Sequence, residues 1–179
     1  CILSLRTRDE TTRSAGQRLF AVADTPKSIS QLSAARIAKL IYPVGFYKTK
    51  AKRIKQISKE IWKNYCSKVP EDFEKLLEFK GVGRKTANIV FAYGFNRLAM
   101  PIDTHCHRIP NRLGWIKTKT PEQTEMELRR IVPKRHWREF NNNFVKFGQN
   151  VCKPVRPRCD ACPVTRYCDY YRNVYLTRK

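Results

Sequence analysis

Apolar residues recur along most of the chain at intervals of three and four, which predicts amphipathic helices. Residues 1–8 read as the tail of a buried helix. Asp9 is placed to cap a second helix over 10–23, with Ala15, Leu19, Phe20 and Val22 facing inward. Thr25-Pro26 opens a short helical turn, and residues 33–41 form a helix that Pro43 ends. Residues 43–47 make a turn carrying the aromatic pair Phe46 and Tyr47. Residues 48–66 form a long helix with Ala51, Ile54, Ile57, Ile61 and Trp62 on one side. Lys48, Lys50, Lys52, Lys55 and Lys59 are assigned to the other side.

The same spacing predicts a helix through Asp72, Phe73, Leu76, Leu77 and Phe79, and another through Ala87, Val90, Phe91 and Phe95. Between them lies Gly81-Val82-Gly83, a tight turn. Asp103 begins a further helix, with Pro110 expected to kink it and Gly114 to end it. Residues 120–123, Thr-Pro-Glu-Gln, read as a capping box with Pro at the first helical position, opening a helix over 122–132. Residues 136–152 form the last long helix, with Trp137, Phe140, Phe144, Val145 and Phe147 as its core face. No run alternates as a strand does, and no repeat or low-complexity tract is present, so the fold class is all-α.

Charge changes the picture. The 179 residues carry 37 Lys+Arg against 15 Asp+Glu, a net +22, and such an excess suits a polyanionic partner, most simply nucleic acid. A membrane surface would call for a strongly amphipathic, lipid-facing stretch, which the chain lacks, and no apolar run is long enough for a transmembrane span or signal peptide. The chain opens at Cys1 inside the apolar run CILSL, which reads as a truncated start.

In that light the glycine turn gains a role. Gly81 and Gly83 can take positive φ and leave the backbone open to a phosphate, while the N–H groups of the following helix point at it. Alone, a GxG is compatible with an ordinary helix–helix corner. Here Lys85 follows Gly81 by four residues, and Asp103 follows Lys85 by eighteen.

Cysteine use is split. Cys1, Cys66 and Cys106 are scattered and read as small buried apolar residues. Cys152, Cys159, Cys162 and Cys168 sit together in a C-x6-C-x2-C-x5-C pattern. Four thiolates in one loop read as a metal site, and disulfides are disfavoured in an intracellular protein that faces nucleic acid. Spacing leaves zinc and an iron–sulfur cluster both open, although zinc sites usually show two CxxC pairs and here there is one. Lys153, Arg156, Arg158 and Arg166 would offset thiolate charge and could also reach phosphate.

The series Gly81-Val82-Gly83-Arg84-Lys85-Thr86-Ala87-Asn88, then Ile102-Asp103-Thr104-His105, then the four cysteines, resembles endonuclease III, of the helix–hairpin–helix DNA glycosylase superfamily. The resemblance covers essentially the whole chain. It implies two helical domains, a barrel domain over 1–98 with the hairpin and a cluster-bearing domain over 99–179, with a DNA-binding cleft between them. It implies a four-iron four-sulfur (4Fe-4S) cluster on Cys152, Cys159, Cys162 and Cys168. It implies a bifunctional enzyme, monomeric and intracellular. Such an enzyme excises damaged pyrimidines from double-stranded DNA and cleaves the strand at the resulting abasic site.

By position, Lys85 matches the family's catalytic lysine and Asp103 its catalytic aspartate. Gly81, Val82, Gly83, Arg84 and Lys80 fall on the DNA-binding hairpin, where Lys80 replaces the usual proline. Arg6 stands where the family has a gap-filling glutamine, and Phe46 stands at its apolar wedge. A lysine must shed its proton before it attacks, and burial beside cations such as Arg84 favours the neutral amine. Two alternatives stay open: a monofunctional mismatch glycosylase of the same superfamily, acting on adenine or thymine, and a non-enzymatic DNA-binding module with structural zinc. The former branch generally lacks the lysine, so Lys85 argues against it. His105, His107 and His136 are given no catalytic role.

Overall fold

The structure is a computed structural model that describes residues 1–178, all of them helix, turn or loop. The chain folds as two compact units, Cys1–Val90 and a second from Phe91 onward. No helix among the described residues is long and apolar enough to cross a membrane.

In the first unit, α1 (Asp9–Val22), α2 (Pro26–Gln31), α3 (Ala34–Ile41) and α4 (Tyr47–Asn64) enclose a core of Ala15, Leu19, Ile37, Ile41, Val44 and Ala51. Side-chain caps set two of the starts. Thr25 and Ser28 form a reciprocal capping box on α2, and the Ser33 hydroxyl accepts from Arg36 N–H on α3. Then α5 (Phe73–Glu78) begins at Asp72, whose carboxylate accepts from the N–H groups of Glu74 and Lys75, and α6 (Arg84–Ile89) follows the glycine turn.

Four expectations are corrected here. Residues 1–8 form successive turns, not a helix tail. Asp9 is the first helical residue of α1, and its N-cap is Arg8, which contributes backbone only. Phe20 and Val22 are exposed, because the packed line of α1 runs through Ala15 and Leu19. Phe20 lies about 100° further round the helix, and Ala23 turns inward in place of Val22. On α4, Lys50 is buried and Lys55 donates to the Leu32 carbonyl at 2.7 Å, so the solvated basic face is Lys48, Lys52 and Lys59.

The second unit holds α7 (Thr104–Leu113), α8 (Pro121–Ile131) and α9 (Trp137–Asn150) around Met100, Ile102, Cys106, Ile116, Leu128, Trp137 and Phe140. Phe140 and Phe144 stack at 4.1 Å, and Trp137 donates its indole N–H to the Val132 carbonyl. Pro110 sits inside α7 without ending it; Gly114 ends it at φ 83°. A Cβ at Gly114 would also lie 1.9 Å from the Asp169 carboxylate, so two constraints select glycine there. On α8 the Thr120 hydroxyl caps as expected. Gln123, however, accepts from the Lys119 N–H and not from that of Thr120, so the box is displaced by one residue.

Candidate active site

The hairpin is built by two short helices and the five residues 79–83 between them. Leu76 and Phe79 are buried beneath α5, and Thr86, Ala87 and Asn88 are buried beneath α6. The turn closes with Val82 N–H donating to the Phe79 carbonyl at 2.9 Å. Gly81 takes φ 87°, the left-handed region. Gly83 does not: it is extended, at φ −104° and ψ 175°, and serves as the N-cap of α6. A Cβ built on Gly83 meets nothing within 4 Å, so the backbone there faces open space. Gly83, as N-cap, gives the start of α6 no side-chain cap. Lys80 and both glycines are exposed and Val82 is half-buried. Arg84 lies over the Phe73 ring at 5.1 Å, bracing α6 against α5. Lys85 is the second residue of α6 and is half-buried.

A second cluster of the first unit joins Arg6 and Phe46. Phe46 is 64 % exposed, so the ring is no part of the core. It is the N-cap of α4 in left-handed backbone, φ 57°, and Arg6 is also left-handed, at φ 52°. Such conformations cost roughly 1–3 kcal/mol each for non-glycine residues and persist only where the surroundings hold them. The Arg6 guanidinium stands 5.8 Å from the Phe46 ring centroid. Sequence reading named both residues and missed that they meet.

In the second unit Asp103 is the N-cap of α7. Its Oδ1 accepts from the N–H groups of His105 and Cys106, both at 2.8 Å. These bonds satisfy two N–H groups of the first turn of α7. Cys106 behind it is fully buried, and burial first, then the Asp103 charge, push its thiol up to about 12, so it stays neutral. His105 is structural: it packs against Gly148, where a Cβ would lie 2.1 Å from its Nδ1, and Arg108 contacts the same nitrogen at 3.0 Å. His107 meets the Thr124 hydroxyl at 2.6 Å, and His136 is exposed. Of the scattered cysteines Cys106 is buried as expected, whereas Cys1 and Cys66 are exposed.

The four clustered cysteines line a single pocket, walled by Ile109, Leu113, Phe147, Val151 and Val164. Among the described residues no three His, Cys, Asp or Glu side chains converge closely enough to hold one metal ion; the four thiols instead surround a space. Burial first, and then Cys152, Cys162 and Cys168, push the Cys159 thiol up, while Arg112 opposes them. Four thiolates in one apolar pocket repel one another unless cationic centres lie between them, so the donor set fits a multi-iron cluster. Sequence reading missed two anchors of this loop. Arg108 donates to the Cys152 carbonyl at 2.7 Å. Arg112 donates to the Cys152 sulfur at 3.4 Å and to the Lys153 and Pro154 carbonyls. Their signal was a pair of arginines four residues apart on the helix that Asp103 opens. Arg156, Arg158 and Arg166 on the loop are exposed, and Lys153 is half-buried.

Comparison with known proteins agrees with this layout. The family model described as HhH-GPD superfamily base excision DNA repair protein matches residues 1–134, which hold the hairpin, Lys85 and Asp103. Endonuclease III of Thermotoga maritima is 45 % identical over 171 residues, covering 96 % of this chain and 80 % of that protein. A solved non-covalent endonuclease III–DNA complex superposes with a TM-score of 0.90 at 30 % identity, covering 99 % of this chain and 83 % of that one. A trapped covalent endonuclease III–DNA intermediate gives 0.89 at 30 % identity, covering 96 % and 81 %. On the hairpin, the all-helical fold and these relatives together, the chain belongs to the endonuclease III family of the HhH-GPD superfamily of base excision DNA repair proteins.

Proposed function

We propose that the chain is a bifunctional DNA glycosylase and abasic-site lyase that excises damaged pyrimidines from double-stranded DNA, working inside the cell as a monomer. The observation that carries this reading is Lys85, half-buried in the first turn of α6 immediately behind the open Gly83 backbone. A primary amine held beside a phosphate-binding turn is placed to be a nucleophile.

An enzyme acting on a base within a duplex must first extrude the nucleotide, at a cost of a few kcal/mol. The hairpin of Lys80, Gly81, Val82, Gly83 and Arg84 grips the backbone without reading sequence. Phe46 and Arg6 enter the stack. The Lys85 amine attacks the anomeric carbon of the sugar; the bond to the base breaks, and the base leaves with a proton. The ring then opens to an imine between Lys85 and the sugar. Loss of a proton from the neighbouring carbon expels the 3′ phosphate and cuts the strand. Asp103 stabilises positive charge on the sugar as the base departs.

Cys152, Cys159, Cys162 and Cys168 hold a 4Fe-4S cluster. What supports it is that all four thiols line one pocket. When bound, the cluster cross-links four chain positions and stiffens the loop that carries Arg156, Arg158 and Arg166.

The test is a panel of duplex oligonucleotides, each with one lesion, incubated with and without borohydride. Oxidised pyrimidines are cut, and borohydride traps a protein–DNA adduct on those same substrates. Base release with no trapping on any lesion sinks the bifunctional reading and favours the monofunctional branch. The charge of +22 yields a separate prediction for undamaged duplex. Log affinity falls with log salt by about 0.9 per phosphate neutralised, so about five contacts give a slope near −4.5. Lys80→Ala lowers that slope by about one unit. A nearly flat dependence contradicts the phosphate-gripping role.

A further inference from the structure

Lys50 sits in the middle of the basic stretch of α4, yet it is turned away from solvent. It is 4 % exposed, while Lys48, Lys52 and Lys59 lie open. On α4 it is buried together with Ala51, Ser58 and Ile61. Burial pulls its pKa below the ordinary lysine value, so the charge is held there against a desolvation cost.

What holds it is a short piece of chain. Lys50 Nζ donates to the Leu3 carbonyl at 2.9 Å, to the Thr7 hydroxyl at 3.1 Å, and to the Leu5 carbonyl. An ammonium has three N–H donors, and here all three go to alternate residues of one segment. The segment is therefore wrapped around a point charge. The same Thr7 hydroxyl accepts from Gly45 N–H at 3.1 Å. Gly45 lies so close that a Cβ on it would sit 2.7 Å from the Arg6 carbonyl oxygen. Two stretches of backbone are thus pressed together, and each pushes one side chain outward from the seam. Those side chains are Arg6 and Phe46, both on left-handed backbone, with the guanidinium over the ring.

We propose that Lys50 is a positioning residue for nucleotide extrusion: by gathering the Leu3, Leu5 and Thr7 oxygens it locks Arg6 and Phe46 into one rigid wedge that enters the duplex and fills the gap behind the extruded nucleotide. This rests on the glycosylase reading above. The physical argument is preorganisation. An exposed arginine and an exposed aromatic ring that swing freely must be ordered at the moment of insertion, which weakens the gain from stacking. A planar guanidinium held 5.8 Å from the centre of a flat ring offers the duplex two flat groups at a fixed spacing. Glutamine at position 50 keeps a polar chain but cannot supply three donors to three separated oxygens.

The test compares one damaged pyrimidine in a fully paired duplex with the same lesion in an unpaired bubble, where no wedge is needed. Lys50→Gln lowers excision from the paired duplex about 10- to 100-fold, the scale of a misplaced positioning group, and leaves bubble excision within about threefold of wild type. Phe46→Ala shows the same pattern. The double variant loses no more than the worse single variant, because the residues act as one unit. Equal losses on both substrates, or losses that multiply in the double variant, overturn the proposal. If Lys50→Gln loses its helical circular dichroism, Thr7→Val carries the same comparison. It removes one acceptor and the link to Gly45, and an unchanged paired-to-bubble ratio in that variant also overturns the proposal. A wild-type protein that excises the lesion from neither substrate removes the glycosylase reading itself and this proposal with it.

Discussion

Lys85→Gln abolishes the borohydride-trapped adduct and lowers strand cleavage at damaged sites by about 10³-fold or more, the scale expected when a covalent nucleophile is lost. Glutamine keeps a polar side chain, one atom shorter, and removes the amine. Lys85 is half-buried in α6, whose packing rests on Thr86, Ala87 and Asn88, so the fold and the open hairpin survive the change. Binding to damaged duplex, which the proposed hairpin grip leaves to the Gly83 backbone and the basic surface, stays within a few-fold of wild type. Peptide mapping of the wild-type adduct places the cross-link on Lys85. An adduct on another lysine, or a variant that cleaves at the wild-type rate, overturns the mechanism. Asp103→Asn separates the second role. It lowers base excision more than trapping on a preformed abasic site, because there no base remains to be expelled. Since the Asn side-chain oxygen can still accept from His105 and Cys106 N–H, the cap on α7 is retained and the loss reports charge.

Cys159→Ser yields protein that has lost its iron and its visible colour, melts at lower temperature and binds DNA more weakly. Cys159 is the buried member of the four and forms the 3-10 turn whose Cys159 carbonyl accepts from Cys162 N–H. Serine is a poor ligand for iron, and removing one of four anchors opens the ring. Structural thiolate sites bind metal with on the order of 10 kcal/mol, comparable with the roughly 5–15 kcal/mol that holds a whole domain folded. Arg108 and Arg112 still clasp its first residues, from Cys152 to Pro154, so disorder spreads from Arg156 onward, through the exposed arginines. Iron loss with unchanged DNA affinity would remove this loop from the DNA surface. Protein that never contains iron after anaerobic purification contradicts the cluster itself.

The sequence by itself determined the elements and their order. Helical spacing placed α1, α3, α4, α7, α8 and α9 within one or two residues of where they lie, because each buries a single stripe and stripes are written at intervals of three and four. Helix starts were legible at Asp103 and Thr120, whose own side chains cap, whereas Asp72, read as a helical position, is the cap of α5, and Asp9, read as a cap, is the first helical residue of α1. The hairpin, Lys85, Asp103 and the four cysteines were legible for a similar reason, since each is a local motif at fixed spacing. What the tertiary structure decided is which neighbours those local features meet. Lys50 looks like one more cation of a solvated face until the Leu3–Thr7 segment, more than forty residues away in sequence, folds over it. Gly83 looks like a second left-handed glycine until it is needed as an extended N-cap. Phe20 looks like core until α3 covers only the Ala15–Leu19 line. For Lys50 and Phe20 the deciding neighbour lies far along the chain, and intervals along a chain carry no record of contacts made across it.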